Sequence, residues 1–289
     1  MNDRLKQILE LNLATLFIST SGVLGRTITV PVPLTVLIRC VIGIVFLWII
    51  LKLLKTDLKI DFFKHKWFFL FGGILITGHW VTYFYALQYS NVAIGMISLF
   101  TFPIITTFLE PLFFKVRISI FNLISSALVI TGVVILVPEF SLGNEVTVGI
   151  LFGILSALVY SIRNLLNKRY IKIYSGSAIM FYQLVISIVI MLPTLLIYPL
   201  EVSTDQMWLL LLLGLFTTAL GHTLFLRSLS HFTASTASII ASLQPVYGII
   251  LGVILINETV EPAVYIGGSL ILITVVAQSA KELLGNKSA

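Results

Sequence analysis

Ten long apolar stretches, separated by short polar loops, run along the 289-residue chain. Each has about 20 residues, which is the length that an α-helix needs to cross the hydrocarbon core of a bilayer. We therefore predict an all-α integral membrane protein with ten transmembrane helices. The predicted spans are Ile8–Ile28, Leu34–Leu54, Trp67–Gln88, Val92–Phe114, Ile118–Val137, Val148–Lys168, Ala178–Tyr198, Met207–Leu229, Ala234–Ile256 and Ala263–Leu283.

The composition excludes most classes of soluble protein. Charged residues make up 10% of the chain, against about 25% in a typical soluble domain, and the loops are too short for a catalytic domain outside the membrane. The formal net charge is +6, but the aromatic residues lie inside apolar stretches, so we expect no nucleic-acid partner. The single cysteine, Cys40, excludes an intramolecular disulfide and a cysteine metal cluster. No metal and no cofactor are predicted.

Basic and acidic residues alternate from loop to loop. The N-terminus, every second loop and the C-terminus are basic, and the loop after the second span alone holds Lys52, Lys55, Lys59, Lys64 and Lys66. Three of the other loops carry acidic residues, namely Glu139 and Glu145, Glu201 and Asp205, and Glu258 and Glu261. Because cytoplasmic loops are enriched in lysine and arginine, we predict a multi-pass protein of the plasma (inner) membrane with both termini in the cytoplasm.

The two halves of the chain align with each other at an offset of 142 residues. At this offset Pro103 matches Pro245, Leu87 matches Leu229, and basic Arg26 matches basic Lys168. We predict two repeats, 1–140 and 141–289, each with five spans. Five is an odd number, so the second repeat enters the membrane from the opposite side. Inverted repeats are common in secondary transporters, which bind their solute near the midplane between the repeats.

Short motifs in both halves resemble a known family. The first half has Gly78-His79-Trp80, Tyr83-Phe84-Tyr85-Ala86-Leu87, Val92-Ala93, Phe102-Pro103 and, earlier, Leu37-Ile38-Arg39; the second has Ala234-Ser235, Gln244-Pro245, Glu258 and Gly267-Gly268. In order and spacing they resemble the EamA repeats of the drug/metabolite transporter superfamily. The resemblance implies a ten-helix carrier with a central cavity for amino acids, drugs or other small metabolites. Val116 stands where the second half has Glu258, so a role of that glutamate cannot be duplicated.

His79 is the strongest candidate for the substrate cavity because it lies near the middle of the third span. Ionisable groups at that depth are costly and usually face a cavity or a partner, and a reference pKa of about 6.5 suits proton coupling. The alternative is a neutral histidine that bonds to a neighbouring helix. Trp80 and Tyr83 add aromatic surface with polar tips, suited to an amphiphilic solute.

Pro103 and Pro245 lie deep in the fourth and ninth spans, at matching repeat positions. A proline frees a carbonyl group and bends a helix, and matching interruptions in two repeats indicate a binding site. Polar residues beside them complete the cavity candidates, which are Ser98, Thr101, Gln244 and Tyr247. The alternative is a static kink that Thr101 or neighbouring helices satisfy.

Three charged residues lie within predicted spans. Arg39 is suited to a substrate carboxylate, but we favour a structural or gating role, with a side chain that extends to the interface or pairs with another helix. For Glu110 we expect an ion pair with Arg163 or Lys115, with a proton or substrate-amine site as the alternative. For Arg163 we expect helix packing.

Taken together, these features predict a secondary transporter, and no enzyme motif of the zinc-protease, serine-hydrolase or phosphate-loop type occurs in the sequence. We expect it to move small metabolites such as amino acids or related amphiphilic solutes, outward, by alternating access around a midplane cavity. Proton coupling and facilitated diffusion both remain open, as do a monomer and a homodimer. The alternative functions are a uniport channel for small solutes and an intramembrane enzyme that acts on lipid.

Overall fold

The computed structural model describes residues 3–135, 145–257 and 262–285, and all regular structure in these ranges is helical. A 3-10 turn, Leu192–Leu196, follows the helix that ends at Met191. A π-helical segment, Leu213–His222, connects the helix that ends at Leu212 to the one that begins at Thr223. The helices are α1 (Asp3–Thr27), α2 (Val32–Leu53), α3 (Lys66–Tyr89), α4 (Val92–Leu99), α5 (Phe102–Phe114), α6 (Ile120–Ile135), α7 (Glu145–Tyr170), α8 (Gly176–Met191), α9 (Thr204–Leu212), α10 (Thr223–Ser228), α11 (Ala234–Ala241), α12 (Gln244–Ile256) and α13 (Pro262–Gly285).

Seven helical segments within the described ranges are long and apolar enough to cross a membrane. Shorter apolar helices lie where the fourth, fifth and tenth spans are predicted, at Phe102–Phe114, Ile120–Gly132 and Tyr265–Lys281. The prediction of a multi-pass, all-helical membrane protein is confirmed, whereas the count of ten spans stays a prediction. The seven long segments are Asp3–Thr27, Val32–Leu53, Lys66–Tyr89, Thr147–Tyr170, Gly176–Leu196, Thr204–Ser228 and Ala234–Ile256.

The repeat is visible in the helix boundaries. Shifted by 142 residues, the bounds of α4 and α5 become those of α11 and α12. Helices α5 and α12 also end alike, on a left-handed residue: Lys115 has φ 53° and Asn257 has φ 54°. The predicted boundary between the repeats, 140/141, lies outside the described residues, as does Glu258.

Two basic residues at matching repeat positions bind the same part of each repeat. Arg26 Nη1 donates to the carbonyl oxygen of Leu87 at 3.2 Å, and Lys168 Nζ donates to that of Leu229 at 2.6 Å. Both acceptors lie at the end of the third span of their repeat, where helix carbonyl groups have no intrahelical partner. The match of Arg26 with Lys168 in the sequence therefore reflects a shared contact.

The fourth and ninth spans are each divided in two, whereas we predicted one bent helix at each place. The turn Phe100-Thr101 separates α4 from α5, and Ser242-Leu243 separates α11 from α12. Pro103 then occupies the first turn of α5, where the missing N–H needs no partner. Thr101 Oγ1 donates to the carbonyl oxygen of Ser98 at 2.9 Å. The Thr101 hydroxyl therefore bonds to a carbonyl group of its own span, which agrees with the alternative of a static kink.

The two halves interlock rather than pack side by side. Helix α3 packs along α7, α2 along α8, and α1 along the π-helical segment. Glycines allow two of these helices to approach closely, since a Cβ on Gly43 would lie 2.6 Å from Thr218 Cγ2 and one on Gly214 would lie 2.4 Å from Ile42 Cγ2. The centre of the bundle is therefore built from both halves of the chain.

Candidate binding site in the bundle core

A small cavity lies where helices from both halves meet. Its open volume is about 10 Å³, about the space that one water molecule needs. The cavity is lined by Ile18, Ser21, Arg39, His79, Trp80, Tyr83, Leu99, Phe102, Tyr160, His222 and Gln244.

Several residues predicted for the site surround this cavity, namely Arg39, His79, Trp80, Tyr83 and Gln244. The others lie within the described ranges but outside the lining: Ser98, Thr101, Pro103, Pro245, Tyr247, Glu110 and Arg163. Ser98 Oγ donates to the carbonyl oxygen of Ile94, one turn back in its own helix, at 2.8 Å.

His79 is held by α7. Its ring stacks on that of Tyr160 with centroids 4.3 Å apart. The Ser156 hydroxyl oxygen lies 2.9 Å from the carbonyl oxygen of His79 and 2.8 Å from His79 Nδ1. The hydroxyl therefore holds both the backbone and the ring of His79. Nε2 makes no hydrogen bond to any described residue and stays available as an acceptor or a proton site.

Trp80 and His222 connect the two halves directly. Trp80 Nε1 donates to His222 Nε2 at 3.1 Å. His222 therefore carries its proton on Nδ1, and within the described part of the chain this buried donor has no hydrogen-bond partner. The bond thus connects the third predicted span to the eighth.

Arg39 bonds to the π-helical segment. Its Nε donates to Thr218 Oγ1 at 3.1 Å, and its Nη2 donates to Thr217 Oγ1 at 3.0 Å. Both threonine hydroxyls donate to the carbonyl oxygen of Leu213, which leaves their oxygens free to accept. The guanidinium carbon also lies 4.2 Å from the centroid of the Trp80 ring. The expected pairing with another helix is observed, and extension to the interface is wrong because Arg39 is 1% exposed.

Arg163 joins α7 to α8, as expected for a residue that packs helices. Its Nε and Nη2 donate to Gln183 Oε1 at 3.0 and 2.7 Å. Gln183 Nε2 donates in turn to Asn167 Oδ1 at 2.8 Å. Arg163 is fully buried and lies one helical turn after Tyr160, so its charge is close to the cavity without lining it.

The ion pair expected for Glu110 is wrong. Glu110 Oε1 accepts from the backbone N–H of Ala234 at 2.8 Å, and Oε2 accepts from the N–H of Ser235 at 3.3 Å and from the Ser235 hydroxyl. These groups form the N-terminus of α11, whose N–H groups have no intrahelical acceptor. The positive end of the helix therefore takes the place of Arg163 or Lys115 as the partner of this carboxylate.

Some residues of the site were not predicted from the sequence. Tyr160 and Ser156 sit in an apolar helix with no motif, and they matter only because α7 packs against α3. Thr217 and Thr218 lie in the π-helical turn, for which the sequence holds no signal. The repeat offset was the one available signal for His222, because it aligns His222 with Trp80.

The comparisons with known proteins agree with the repeat. The model of the EamA-like transporter family matches twice, over residues 5–137 and 147–279. Three uncharacterized transporters are similar in sequence. The one from Clostridium kluyveri is 26% identical over 65% of this chain and 64% of its own length. The one from Archaeoglobus fulgidus is 29% identical over 66% and 68%, and YwfM from Bacillus subtilis is 25% identical over 68% of each chain.

A crystal structure of another protein has the same fold. Its chain superposes with a TM-score of 0.79 over 98% of this chain and 99% of its own, at 16% sequence identity. The likeness extends over the whole helical bundle. With two matches of the family model that together cover most of the sequence, the chain belongs to the EamA-like transporter family of the drug/metabolite transporter superfamily.

Proposed function

We propose that this protein is a secondary transporter that exports small metabolites, amino acids or related amphiphilic solutes, by alternating access around the central cavity. Ten spans in two inverted repeats cross the plasma membrane, with both termini in the cytoplasm. Family membership and the transporter names of the relatives support transport. The solute class and the outward direction follow from what the family resemblance implies, and the alternating-access mechanism is argued from the site.

One observation carries the proposal: both repeats contribute polar side chains to the same cavity. Arg39, His79 and Trp80 come from the first repeat, and His222 and Gln244 come from the second. A solute at this place touches both repeats at once, so movement of one repeat against the other changes its access to the two sides of the membrane.

The chemistry of the lining favours an amphiphilic solute. Trp80, Tyr83 and Phe102 offer aromatic surface, while Gln244 and the Nε2 atom of His79 offer hydrogen bonds. Aromatic side chains with polar tips suit a solute that is apolar at one end and polar at the other. The open volume of about 10 Å³ is too small for a metabolite, so the cavity must widen when a solute enters.

Counterflow in vesicles tests the proposal. Purified protein is first screened by thermal shift against amino acids, nucleosides, sugars and amphiphilic drugs, since a ligand at 100 times its Kd stabilises the fold by about 2.7 kcal/mol. Vesicles loaded with an unlabelled hit are then diluted into a trace of the labelled compound. We expect a transient accumulation of label above equilibrium in protein-containing vesicles and none in empty ones. Flux without accumulation indicates a channel, and a chemically altered solute indicates an enzyme.

A further inference from the structure

Two buried guanidinium groups in the core have no acidic partner among the residues that the structure describes. Arg39 is 1% exposed and Arg163 is 0% exposed. Among the described residues, Glu110 is the one buried acidic residue, and its carboxylate is bound to the N-terminus of α11. Buried charges normally pair with an opposite charge, because leaving one unpaired is strongly destabilising. The core of this protein therefore holds positive charge that its own described side chains do not balance.

Arg39 places this charge at the cavity in a fixed orientation. Nε and Nη2 donate to the hydroxyls of Thr217 and Thr218. The guanidinium carbon lies 4.2 Å from the centroid of the Trp80 ring. Hydroxyl groups are neutral acceptors, so they orient the guanidinium without cancelling its charge. A planar guanidinium held in this way matches the geometry of a carboxylate.

One unpaired donor belongs to the cavity lining. His222 is a lining residue, and its Nδ1 is buried without a hydrogen-bond partner among the described residues. Outside the lining, α7 holds further buried atoms without a described partner, the donors Arg163 Nη1, Asn164 Nδ2 and Asn167 Nδ2 and the acceptor Asn164 Oδ1. Native proteins leave few buried polar atoms unpaired, and each such atom calls for an explanation. An unpaired donor in a lining that also holds the Arg39 cation favours a ligand that accepts hydrogen bonds and carries negative charge.

The same lining has nothing to hold an ammonium group by charge. All residues that line the cavity are described, and no aspartate or glutamate is among them. A zwitterionic amino acid would therefore bring its ammonium group into a region that is already positive, at an electrostatic cost. A carboxylate without an ammonium group avoids that cost.

We propose that the transported solute is an organic anion: a carboxylate with an apolar or aromatic body and no balancing ammonium group. The carboxylate binds Arg39, and the body lies against Trp80, Tyr83 and Phe102. The inference deepens the proposed transport function and rests on it. It narrows the proposed substrates from amino acids and related amphiphilic solutes to the related monocarboxylates, and it excludes zwitterionic amino acids.

Binding is measured with Trp80 as the single fluorescent reporter. The other tryptophans, Trp48, Trp67 and Trp208, are 48%, 61% and 62% exposed, so replacing them by phenylalanine leaves the core intact. The probes are four compounds of one shape that differ in charge: 3-phenylpropionate, 3-phenylpropionamide, phenylalanine and 2-phenylethylamine. Acetate and 5-phenylpentanoate, each with its amide, extend the series to other sizes without adding a second indole fluorophore. We expect at least one carboxylate to bind about tenfold or more tightly than its amide, since charged pairs in a desolvated site contribute that much.

Variants connect the effect to Arg39. Arg39→Gln removes the positive charge, and Arg39→Lys keeps the charge but lacks the planar guanidinium group. Lys64→Gln removes an exposed charge in a loop and is the matched control. We expect Arg39→Gln to abolish the preference for the carboxylate, Arg39→Lys to reduce it, and Lys64→Gln to leave it unchanged. Because the carboxylate–amide comparison is made on the reporter protein with Arg39 intact, it stands even where an Arg39 variant fails to fold.

The outcomes separate this inference from the transport proposal. If no carboxylate of any size binds better than its amide, or if phenylalanine or 2-phenylethylamine binds best, the inference is wrong, even where that compound shows counterflow. If a carboxylate binds through Arg39 but shows no counterflow, the anion site stands and the transport proposal fails.

Discussion

Trp80 Nε1 donates to His222 Nε2 at 3.1 Å, across 142 positions of sequence. The same offset relates the two repeats, so the bond joins two residues that occupy equivalent positions in them. Equivalent positions meet only near the axis that relates the repeats. This hydrogen bond therefore marks the centre of the bundle, and it closes one wall of the cavity.

Removing the Trp80 donor should destabilise the fold. Trp80→Phe leaves His222 Nε2 as a buried acceptor without its donor, which costs about 1–3 kcal/mol. Thermal unfolding in detergent measures the change. Trp67→Phe is the control, because Trp67 is 61% exposed and should leave the unfolding midpoint unchanged. Equal effects of the two substitutions would contradict a structural role for the bond.

His79→Ala should impair transport more than folding. The substitution removes an imidazole that lines the cavity and its stacking on Tyr160, while the helix itself keeps a residue with good helix propensity. Counterflow rates and unfolding midpoints are measured on the same preparation. Ser156→Ala is the matched control, since it removes the hydroxyl that holds His79 but leaves the imidazole in place. Normal counterflow in the His79→Ala protein would remove His79 from the site.

Glu110→Ala should destabilise the contact between α5 and α11. Two backbone N–H groups lose their charged acceptor, which costs about 0.5–2 kcal/mol by analogy with helix N-caps. Glu110→Gln keeps one acceptor oxygen and should lose less. Chemical or thermal unfolding gives both values, with Glu201→Gln in an exposed loop as the control. A larger loss in Glu110→Gln than in Glu110→Ala would show that the carboxylate is not acting as a cap.

Gly43→Ala should disturb the site, whereas Gly78→Ala should not. A Cβ on Gly43 would lie 2.6 Å from Thr218 Cγ2, but one on Gly78 would meet only Val159 Cγ1, at 3.7 Å. Both glycines are inside helices, so alanine gains up to about 1 kcal/mol of helix propensity at each. We expect Gly78→Ala to be neutral or stabilising and Gly43→Ala to lower both stability and solute affinity, because Thr218 orients Arg39.

Cysteine labelling tests the predicted orientation. Cys40 is buried, so the wild-type protein gives little background with a membrane-impermeant maleimide. A cysteine at Glu201 should react in intact cells, and one at Lys59 should react only after the cells are opened. Both positions are exposed. Labelling of the Lys59 position in intact cells would reverse the assignment of the two sides.

Much of the fold could be predicted from the sequence. Long apolar segments, the repeat offset and the positions of Pro103 and Pro245 are linear features, and the structure places a helix at every predicted span within the described residues. The divided fourth and ninth spans were harder, because hydropathy does not distinguish a bent helix from two helices joined by a turn. In the fourth span, the turn is accompanied by a hydrogen bond from Thr101 Oγ1 to the carbonyl oxygen of Ser98.

The partners of the charged residues could not be predicted. Glu110 lies near Lys115 in sequence, yet it binds the N-terminus of α11, which begins 124 residues later. Arg39 has a carboxylate-binding side chain, yet the structure holds it on two threonines of a π-helical turn. In both cases the sequence supplied the charged group, and the approach of another helix supplied its partner.

The sequence by itself determined that this chain crosses a membrane as a duplicated helical bundle. Bilayer thickness fixes the length of an apolar helix, and duplication leaves a constant offset, so both are properties of a linear pattern. Tertiary structure alone decided that Trp80 meets His222 and that Arg39 lines a cavity between the two halves. Those contacts depend on the rotation, depth and close approach of helices far apart in sequence, which the glycines Gly43 and Gly214 allow.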